Sequence, residues 1–367
     1  MRKTKGGVPH VATVIEEDLE DRNTGLSKPQ RVGLADLTAS LLATRSINTS
    51  ELANVLPRDV KSDEERYRYI NRWLSNDKID PLRVMNGFIP ELLELMYSND
   101  KTAILMMDQS KISEGFECLM VSVRVGERAL PVGWRVAKTR GNIGFDTQKE
   151  LLQSIKVMIP SRMKVLLAAD RFYGTSSLIS LCQSFGWQYR IRLKGNLILH
   201  HQGGEMQTGE LVSLELKGIE DAELNESGVK TCIGILQEKG HNEPWIIAMD
   251  CKPSTGRVLD YGMRWGIEAL FSDFKTRGFG ITKTQLKDPK RIERLILVLT
   301  VACYWAASTG MHPEPVKKQP SKKSGKEPSV MLQKGAATTS ECGPFFIADP
   351  NTLGVFKKFE LLGVQAH

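Results

Sequence analysis

Two aspartates each follow a run of apolar residues that is typical of a buried β-strand. Asp108 follows the residues ILMM, and Asp170 follows the residues VLLAA. Carboxylates at the carboxyl ends of neighbouring parallel strands meet at one edge of a sheet, where they can bind a divalent cation together. A single aspartate at a strand end is also a common turn residue. A third acid is therefore needed to decide between a turn and a metal site.

Glu268 is the candidate for this third acid. It lies in a row with Tyr261, Arg264 and Lys275, at steps of 3, 4 and 7 residues. At about 100° per residue, all four side chains share one narrow stripe of a predicted helix, next to an apolar face. A surface ion pair between Arg264 and Glu268 at i,i+4 would produce the same spacing, so the row alone leaves both interpretations open.

Three carboxylates in one site suit phosphoryl transfer on a nucleic acid. Two divalent ions about 4 Å apart can activate an oxygen nucleophile and neutralise the charge on the leaving oxygen. Mg²⁺ prefers oxygen ligands, and Mn²⁺ is its usual substitute. The residue types therefore predict a site for two Mg²⁺ ions on Asp108, Asp170 and Glu268, with no nucleotide cofactor.

The segment 96–196 must position the first two acids. It contains three strand-like runs followed by alternating helices and strands, a series that predicts a mixed α/β sheet with flanking helices. Glycine-punctuated short runs in 197–250 predict a β-rich insertion. Helical patterns resume in 251–310, which we expect to complete the same core.

The segments outside this core have different characters. Residues 1–30 are polar and predict an arm with no fold, whereas 31–95 predict a small all-helical DNA-binding domain. In one helix of that domain, Tyr67, Ile70 and Leu74 are expected to point inward. The opposite face carries Arg66, Arg68 and Arg72, which would suit either a phosphate backbone or a solvated surface. Residues 311–367 predict a basic, Pro-rich linker and tail.

Composition narrows the class of protein. The net charge of +7 and the pI near 9.0 favour a polyanionic partner without proving one. The six cysteines form no C-x-x-C pair, which argues against a zinc knuckle and fits a reducing cytoplasm. No signal-peptide core or apolar stretch of membrane-spanning length is present, so we expect a soluble protein without membrane contacts.

The row YGMRWGIEALFSDFK contains the pattern Tyr-x2-Arg-x3-Glu-x6-Lys and resembles the signature of the insertion-sequence-four family of bacterial DDE transposases. The contexts of Asp108 and Asp170 are similar to the first two acidic motifs of that family. The resemblance covers roughly residues 100–285. It implies a ribonuclease H-like core interrupted by a β-rich insertion domain.

The resemblance also implies roles for individual residues. Asp108 would bridge both Mg²⁺ ions, with Asp170 and Glu268 each completing one side. Phosphates of the transposon end would bind to a second group: Tyr261, Arg264, Lys275 and Arg171. Arg171 keeps the Asp-Arg start of the second motif, but no acidic residue follows it. Trp265 would support a flipped base, and an interface or core tryptophan is the alternative.

The implied function is cut-and-paste DNA transposition. The enzyme would bind the terminal inverted repeats of its insertion sequence, cleave the DNA in a metal-dependent reaction and transfer the strand to target DNA. We expect a homodimer on double-stranded DNA, in the nucleoid-associated cytoplasm of a bacterium. A catalytically inactive DNA-binding inhibitor or decayed transposase is the alternative. A nuclease without strand transfer would leave the Tyr-Arg-Glu-Lys row without a use.

Overall fold

The computed structural model describes residues 7–60, 62–97, 101–237, 243–275 and 278–311. The basic tail predicted for 311–367 lies outside these ranges except for its first residue. No helix in the described part of the chain has the length and apolar character needed to cross a membrane.

Helices occupy the described chain before the first strand. Their bounds are α1 Val8–Asp21, α2 Lys28–Thr44, α3 Thr49–Val55, α4 Asp63–Leu74, α5 Pro81–Met85 and α6 Ile89–Tyr97. The helical character predicted for 31–95 is confirmed. Side chains at Asn48, Ser62 and Asp80 accept backbone N–H groups in the first turns of α3, α4 and α5. Such caps satisfy donors that have no partner within the helix.

The prediction of an arm without fold is wrong for Val8–Asp21. This segment forms α1, and its Val11, Ile15 and Leu19 are buried against the rest of the helical segment. Their spacing of four residues is helical, but the surrounding glycines, prolines and charged residues obscure it. The first helix therefore belongs to the packed structure.

One ten-stranded mixed sheet contains the described strands. They are β1 Thr102–Ser113, β2 Phe116–Val125, β3 Arg128–Lys138, β4 Lys164–Ala169, β5 Gln188–Arg192, β6 Ile198–His201, β7 Gly204–Gln207, β8 Lys217–Leu224, β9 Lys230–Leu236 and β10 Trp245–Met249. Their spatial order is β3-β2-β1-β4-β5-β10-β9-β8-β6-β7. β4 pairs in parallel with β1 and β5, and the other pairs are antiparallel.

The predicted fold class is confirmed. Strands β1 to β5 form the predicted mixed part of the sheet, and the β-rich character of 197–250 is present as β6 to β10. These later strands continue the same sheet, because β10 pairs with β5. β4 is buried along almost its whole length, as expected for a parallel strand covered on both faces.

Further helices follow or cover the sheet: α7 Phe145–Met158, α8 Ser176–Phe185, α9 Thr255–Leu259, α10 Gly266–Phe274 and α11 Pro289–Met311. Short 3-10 helices span Arg171–Tyr173, Thr208–Leu211, Asp260–Trp265 and Ile281–Lys283. The long helix α11 packs on β3 and α2.

Hydrogen bonds fix α11 to the sheet. The backbone carbonyl of Glu293 accepts from Trp134 Nε1 at 3.0 Å, and its carboxylate accepts from the backbone of Val136 at 2.9 Å. The hydroxyl of Tyr304 donates to the carbonyl of Pro131 at 2.9 Å. Arg294 of α11 donates to the carbonyls of Leu74 and Ile79, which belong to the amino-terminal helical segment. Helix α11 therefore joins the sheet to the amino-terminal helices in one hydrophobic core.

Candidate active site

Asp108 and Asp170 occupy equivalent positions on two neighbouring parallel strands. The last paired residues of β1 and β4 are Met107 and Ala169, and each aspartate comes next in its chain. Neighbouring strands lie about 4.8 Å apart, and residues in register on parallel strands point to the same face. The structure therefore brings these two predicted acids together.

Asp108 does not end its strand as the sequence predicted. β1 continues to Ser113, and Asp108 itself pairs with Met120 of β2. The reason is that β1 has a partner on each side: β4 ends at Ala169, whereas the antiparallel partner β2 continues. Asp170 does follow the end of β4, and its side chain caps the 3-10 helix Arg171–Tyr173.

The segment that carries Glu268 is not one continuous α-helix. Asp260–Trp265 is a 3-10 helix, and α10 begins at Gly266. In a 3-10 helix the side chains at i and i+3 lie above one another, so Tyr261 and Arg264 are in direct contact. Lys275 lies just beyond α10, with a non-helical backbone at φ −89° and ψ −117°. The prediction that the four residues share one stripe of a single α-helix is therefore wrong, because they lie on a 3-10 helix, on α10 and just beyond α10.

Close packing holds this segment against the sheet. A Cβ at Gly266 would lie 3.2 Å from the carbonyl oxygen of Arg128, so α10 begins in contact with the backbone of β3. The ring of Tyr261 packs edge-to-face on Trp245 of β10, with 5.5 Å between the centroids. Tyr261, Trp245 and Val258 belong to a separate small hydrophobic cluster. The β-rich insertion thus helps to position the 3-10 helix.

Arg264 lies at the centre of the predicted site. Its Nη1 donates to Asp108 Oδ2 at 3.0 Å, and its Nη2 donates to Glu268 Oε1 at 2.6 Å. Its Nε donates to the hydroxyl of Tyr261 at 3.1 Å. Arg264 is only 7% exposed, whereas the side chain of Glu268 is 51% exposed. The arginine therefore connects Asp108 and Glu268, two of the three predicted acids, which are far apart in the sequence.

The electrostatics of the site show that Asp170, Glu268 and Arg264 all act on Asp108. Burial raises the pKa of Asp108, Arg264 opposes this shift, and Asp170 and Glu268 add to it. Burial alone would lower the pKa of Arg264, but Tyr261 and the three carboxylates together raise it. An arginine in this environment keeps its positive charge. The site is thus an acidic cluster, Asp108, Asp170 and Glu268, with one permanent cation within it.

The residue types of the acidic cluster fit a hard divalent cation, because carboxylate oxygens are the ligands that Mg²⁺ and Mn²⁺ prefer. Across the described ranges, however, no three acidic, histidine or cysteine side chains are grouped closely enough to bind one ion together. The guanidinium of Arg264 lies between two of these acids, since it is hydrogen-bonded to oxygens of both Asp108 and Glu268.

Lys275 reaches the sheet through a residue that the sequence analysis missed. Its Nζ donates to Ser110 Oγ at 2.5 Å. Burial lowers the pKa of Lys275, while Glu117 and Asp108 act in the opposite direction. Ser110 lies two residues after Asp108 on β1, and side chains two apart on a strand share a face. The spacing Asp-x-Ser on a predicted strand could therefore have indicated that Ser110 lies on the same face as Asp108.

The DNA contact that the sequence predicts for Lys275 should weaken when Ser110 is replaced by Ala. The loss of the Oγ acceptor leaves the ammonium group less firmly oriented, and a hydrogen bond to a charged group contributes about 1.5–3 kcal/mol. We expect a roughly tenfold or greater increase in the Kd for a DNA end, measured by fluorescence anisotropy. Ser154→Ala, on the exposed face of α7, is the matched control. An unchanged Kd for Ser110→Ala would contradict a positioning role.

Arg171 is exposed beside Asp170. Its Nη1 donates to Glu243 at 3.1 Å, and the same carboxylate accepts from Arg192 at 2.9 Å. Both arginines line a cleft of about 510 Å³ that also contains Lys194. The structure thus places Arg171 at the entrance to a basic cleft next to the acidic cluster.

Trp265 is 48% exposed and packs edge-to-face on Trp245, with 6.0 Å between the ring centroids. Trp245 itself is only 6% exposed. Of these two neighbouring tryptophans, Trp265 therefore presents the larger accessible surface for a base.

On α4, Arg68 and Arg72 are exposed, Arg66 is half-buried, and one of the neighbouring residues is not placed as predicted. Ile70 and Leu74 are buried, whereas Tyr67 is 42% exposed, which corrects the inward position expected for it. Arg66 and Arg68 form ion pairs with Asp63 and Glu64 of the same helix. With Arg58 and Tyr67, Arg68 and Arg72 line a cleft of about 780 Å³. This cleft is part of the amino-terminal helical segment.

Comparison with known families gives a match to part of the chain. Residues 144–305 match the family model described as the transposase DDE domain. The match includes Asp170 and Glu268, and Asp108 precedes it. It supports the resemblance to DDE transposases, whose domain implies a polynucleotidyl transferase or nuclease.

Comparison with solved structures returns the cryo-EM structure of the piggyBac transposase synaptic complex with hairpin DNA. The identity is 10% and the TM-score 0.46, over 81% of this chain and 70% of that one. A comparison with curated proteins finds no match.

Proposed function

We propose that the chain is an active DNA transposase of an insertion sequence, similar to the insertion-sequence-four family. It would bind the terminal inverted repeats, cleave at the element ends and transfer the strand to target DNA. The observation that carries the proposal is the placement of Asp108 and Asp170, which directly follow the last registered pair of the parallel strands β1 and β4. Glu268 is linked to Asp108 through Arg264. The domain match over 144–305 supports it.

The carboxylates of Asp108, Asp170 and Glu268 would hold two Mg²⁺ ions, or Mn²⁺ in their place. When bound, such ions activate the attacking oxygen and stabilise the leaving 3′ oxygen. The residues of the chain would supply the negative charge of the site and fix the positions of the groups around it. Burial of Asp108 strengthens its electrostatic interactions with neighbouring charges, because buried charges are poorly screened by water.

The cations around the acidic cluster would bind the DNA backbone. Arg264 and Lys275 present N–H donors beside the acids, and Tyr261 orients Arg264 through its hydroxyl. Guanidinium and ammonium groups form strong, charge-assisted bonds to phosphate oxygens. Arg171 would contribute at the basic cleft, and the exposed ring of Trp265 would stack on an extruded base.

The amino-terminal helices would provide a second contact with DNA. Arg66, Arg68 and Arg72 lie on α4, and two of them line a cleft there. Arg66 and Arg68 are already paired with acids of α4. Breaking these ion pairs would offset part of the free energy gained from their contacts with DNA. Pairing of two transposon ends calls for two protomers, so we propose a homodimer on DNA. The nucleoid-associated cytoplasm of a bacterium is the location that fits this substrate.

A cleavage assay tests the proposed function. Purified protein is incubated with duplexes bearing the ends of the flanking element, in Mg²⁺ and in EDTA, and the products are resolved on a denaturing gel. We expect metal-dependent cleavage at the element end, lost in Asp108→Asn because a neutral amide is a poor metal ligand. Glu150→Gln, which removes an exposed carboxylate of α7, should cleave normally.

The other outcomes of the assay separate the alternatives. Specific binding without cleavage by the unmodified protein would support an inhibitor or a decayed transposase. Cleavage without joining to target DNA would support a nuclease.

A further inference from the structure

Arg264 donates to carboxylate oxygens that the proposed metal site requires. Its contacts to Asp108 Oδ2 and Glu268 Oε1 measure 3.0 and 2.6 Å. Its third nitrogen, Nε, donates to the hydroxyl of Tyr261. This arrangement differs from a surface ladder of ion pairs, because Arg264 is almost fully buried and bridges two separate elements.

A cation at this position competes with metal ions. Arginine cannot release its proton in a protein, and the surrounding acids hold that proton more firmly still. A metal ion that approached Asp108 would meet a fixed positive charge within hydrogen-bond distance of the oxygens it needs. Coulomb repulsion between cations at such separations is large where water is scarce. Metal binding therefore requires Arg264 to move away from at least one acid.

An anion on the outer side of Arg264 would favour this movement. The half-exposed side chain of Glu268 leaves one side of the bridge open to solvent. Lys275 adds a second cation near Asp108. A DNA phosphate placed between Arg264 and Lys275 would offer the guanidinium the bidentate oxygens that it loses from the acids.

We propose that Arg264 blocks the acidic cluster against metal ions in the DNA-free protein, and that binding of a DNA phosphate releases it. Metal binding and DNA binding are then coupled, and each strengthens the other by the same factor. The enzyme would acquire its metal ions chiefly on its substrate. This inference rests on the proposed function, because it takes Asp108, Asp170 and Glu268 as the metal ligands.

Mn²⁺ affinity of the full chain, measured by the loss of the free-ion signal in electron paramagnetic resonance, tests the inference without any catalytic step. We expect Arg264→Gln, free of DNA, to bind Mn²⁺ about fivefold or more tightly than the unmodified protein, the lower end of typical coupling between sites. Arg264→Lys keeps the charge but cannot bridge both acids, so its affinity should fall between the two.

A matched control separates this effect from a change of net charge. Arg257→Gln removes one positive charge from an exposed side chain of α9, whose pair with Asp260 lies outside the acidic cluster. Its Mn²⁺ affinity should equal that of the unmodified protein. Addition of a pre-cleaved duplex with the element's end sequence should raise the Mn²⁺ affinity of the unmodified protein, and should have little effect on Arg264→Gln.

The outcomes distinguish this inference from the proposed function. Equal Mn²⁺ affinity in the unmodified protein, Arg264→Gln and Arg264→Lys, lost in Asp108→Asn, would overturn the blocking role and leave the metal site intact. Weaker binding in both Arg264 variants would also overturn it. No Mn²⁺ binding by any variant, with or without the duplex, would overturn both the metal site and the inference.

Discussion

Replacing Glu268 by Gln is expected to reduce the rate of DNA cleavage about 100-fold or more while DNA binding is retained. A metal ion at a phosphoryl-transfer site supplies several kcal/mol of transition-state stabilisation, and each 1.36 kcal/mol is a factor of ten in rate. Glutamine is neutral and does not supply the negative charge that the glutamate carboxylate would offer to a metal ion. Its oxygen still accepts a hydrogen bond from Arg264, and the half-exposed position avoids a buried, unpaired group.

Single-turnover cleavage of an end duplex measures the rate, and fluorescence anisotropy measures the binding of the same duplex. Glu150→Gln is the matched control, since it makes the same chemical change at an exposed site on α7. If Glu268→Gln cleaves at the normal rate in Mg²⁺, Glu268 is not a metal ligand, and the pairing with Arg264 is only structural.

Replacing Trp134 by Ala is expected to lower the free energy of unfolding by about 3–5 kcal/mol, the usual cost of removing a large core side chain. Trp134 is 1% exposed in β3, and its Nε1 donates to the carbonyl of Glu293 in α11. The substitution opens a cavity and also removes the hydrogen bond that Trp134 adds at this carbonyl. A change of this size is a large fraction of the stability of an ordinary domain.

Urea unfolding followed by circular dichroism measures this loss. Trp265→Ala is the control, because it removes the same side chain from a half-exposed position and should cost much less. Similar losses for the two variants would show that α11 does not depend on Trp134 for its packing on the sheet.

The sequence predicted the parts of the fold that depend on local patterns. The strands that lead to Asp108 and Asp170 were visible as apolar runs, and the pairing of β1 with β4 confirms that these acids are neighbours. Glu268 was visible through its spacing from Arg264. These features depend on residue type and periodicity, which a single sequence contains.

The features that the sequence did not reveal depend on tertiary contacts. The 3-10 geometry of Asp260–Trp265 arises where the chain packs between Trp245 and the sheet, and periodicity does not distinguish it from the start of an α-helix. The continuation of β1 beyond Asp108 depends on β2, and the joining of β10 to β5 is a non-local pairing. The bridging contacts of Arg264 could not be predicted either, because Asp108 is 156 residues away.

The register of β1 and β4 has a consequence for the tolerance of the site to change. The spacing of Asp108 and Asp170 is set by backbone hydrogen bonds that end at Met107 and Ala169, and neighbouring strands are about 4.8 Å apart. Two catalytic ions are separated by a similar distance, about 3.5–4 Å. In the proposed two-ion centre, the sheet would therefore set the spacing of these two acids. Core substitutions that preserve this pairing leave the spacing unchanged, whereas a slip of one residue would turn one carboxylate to the opposite face.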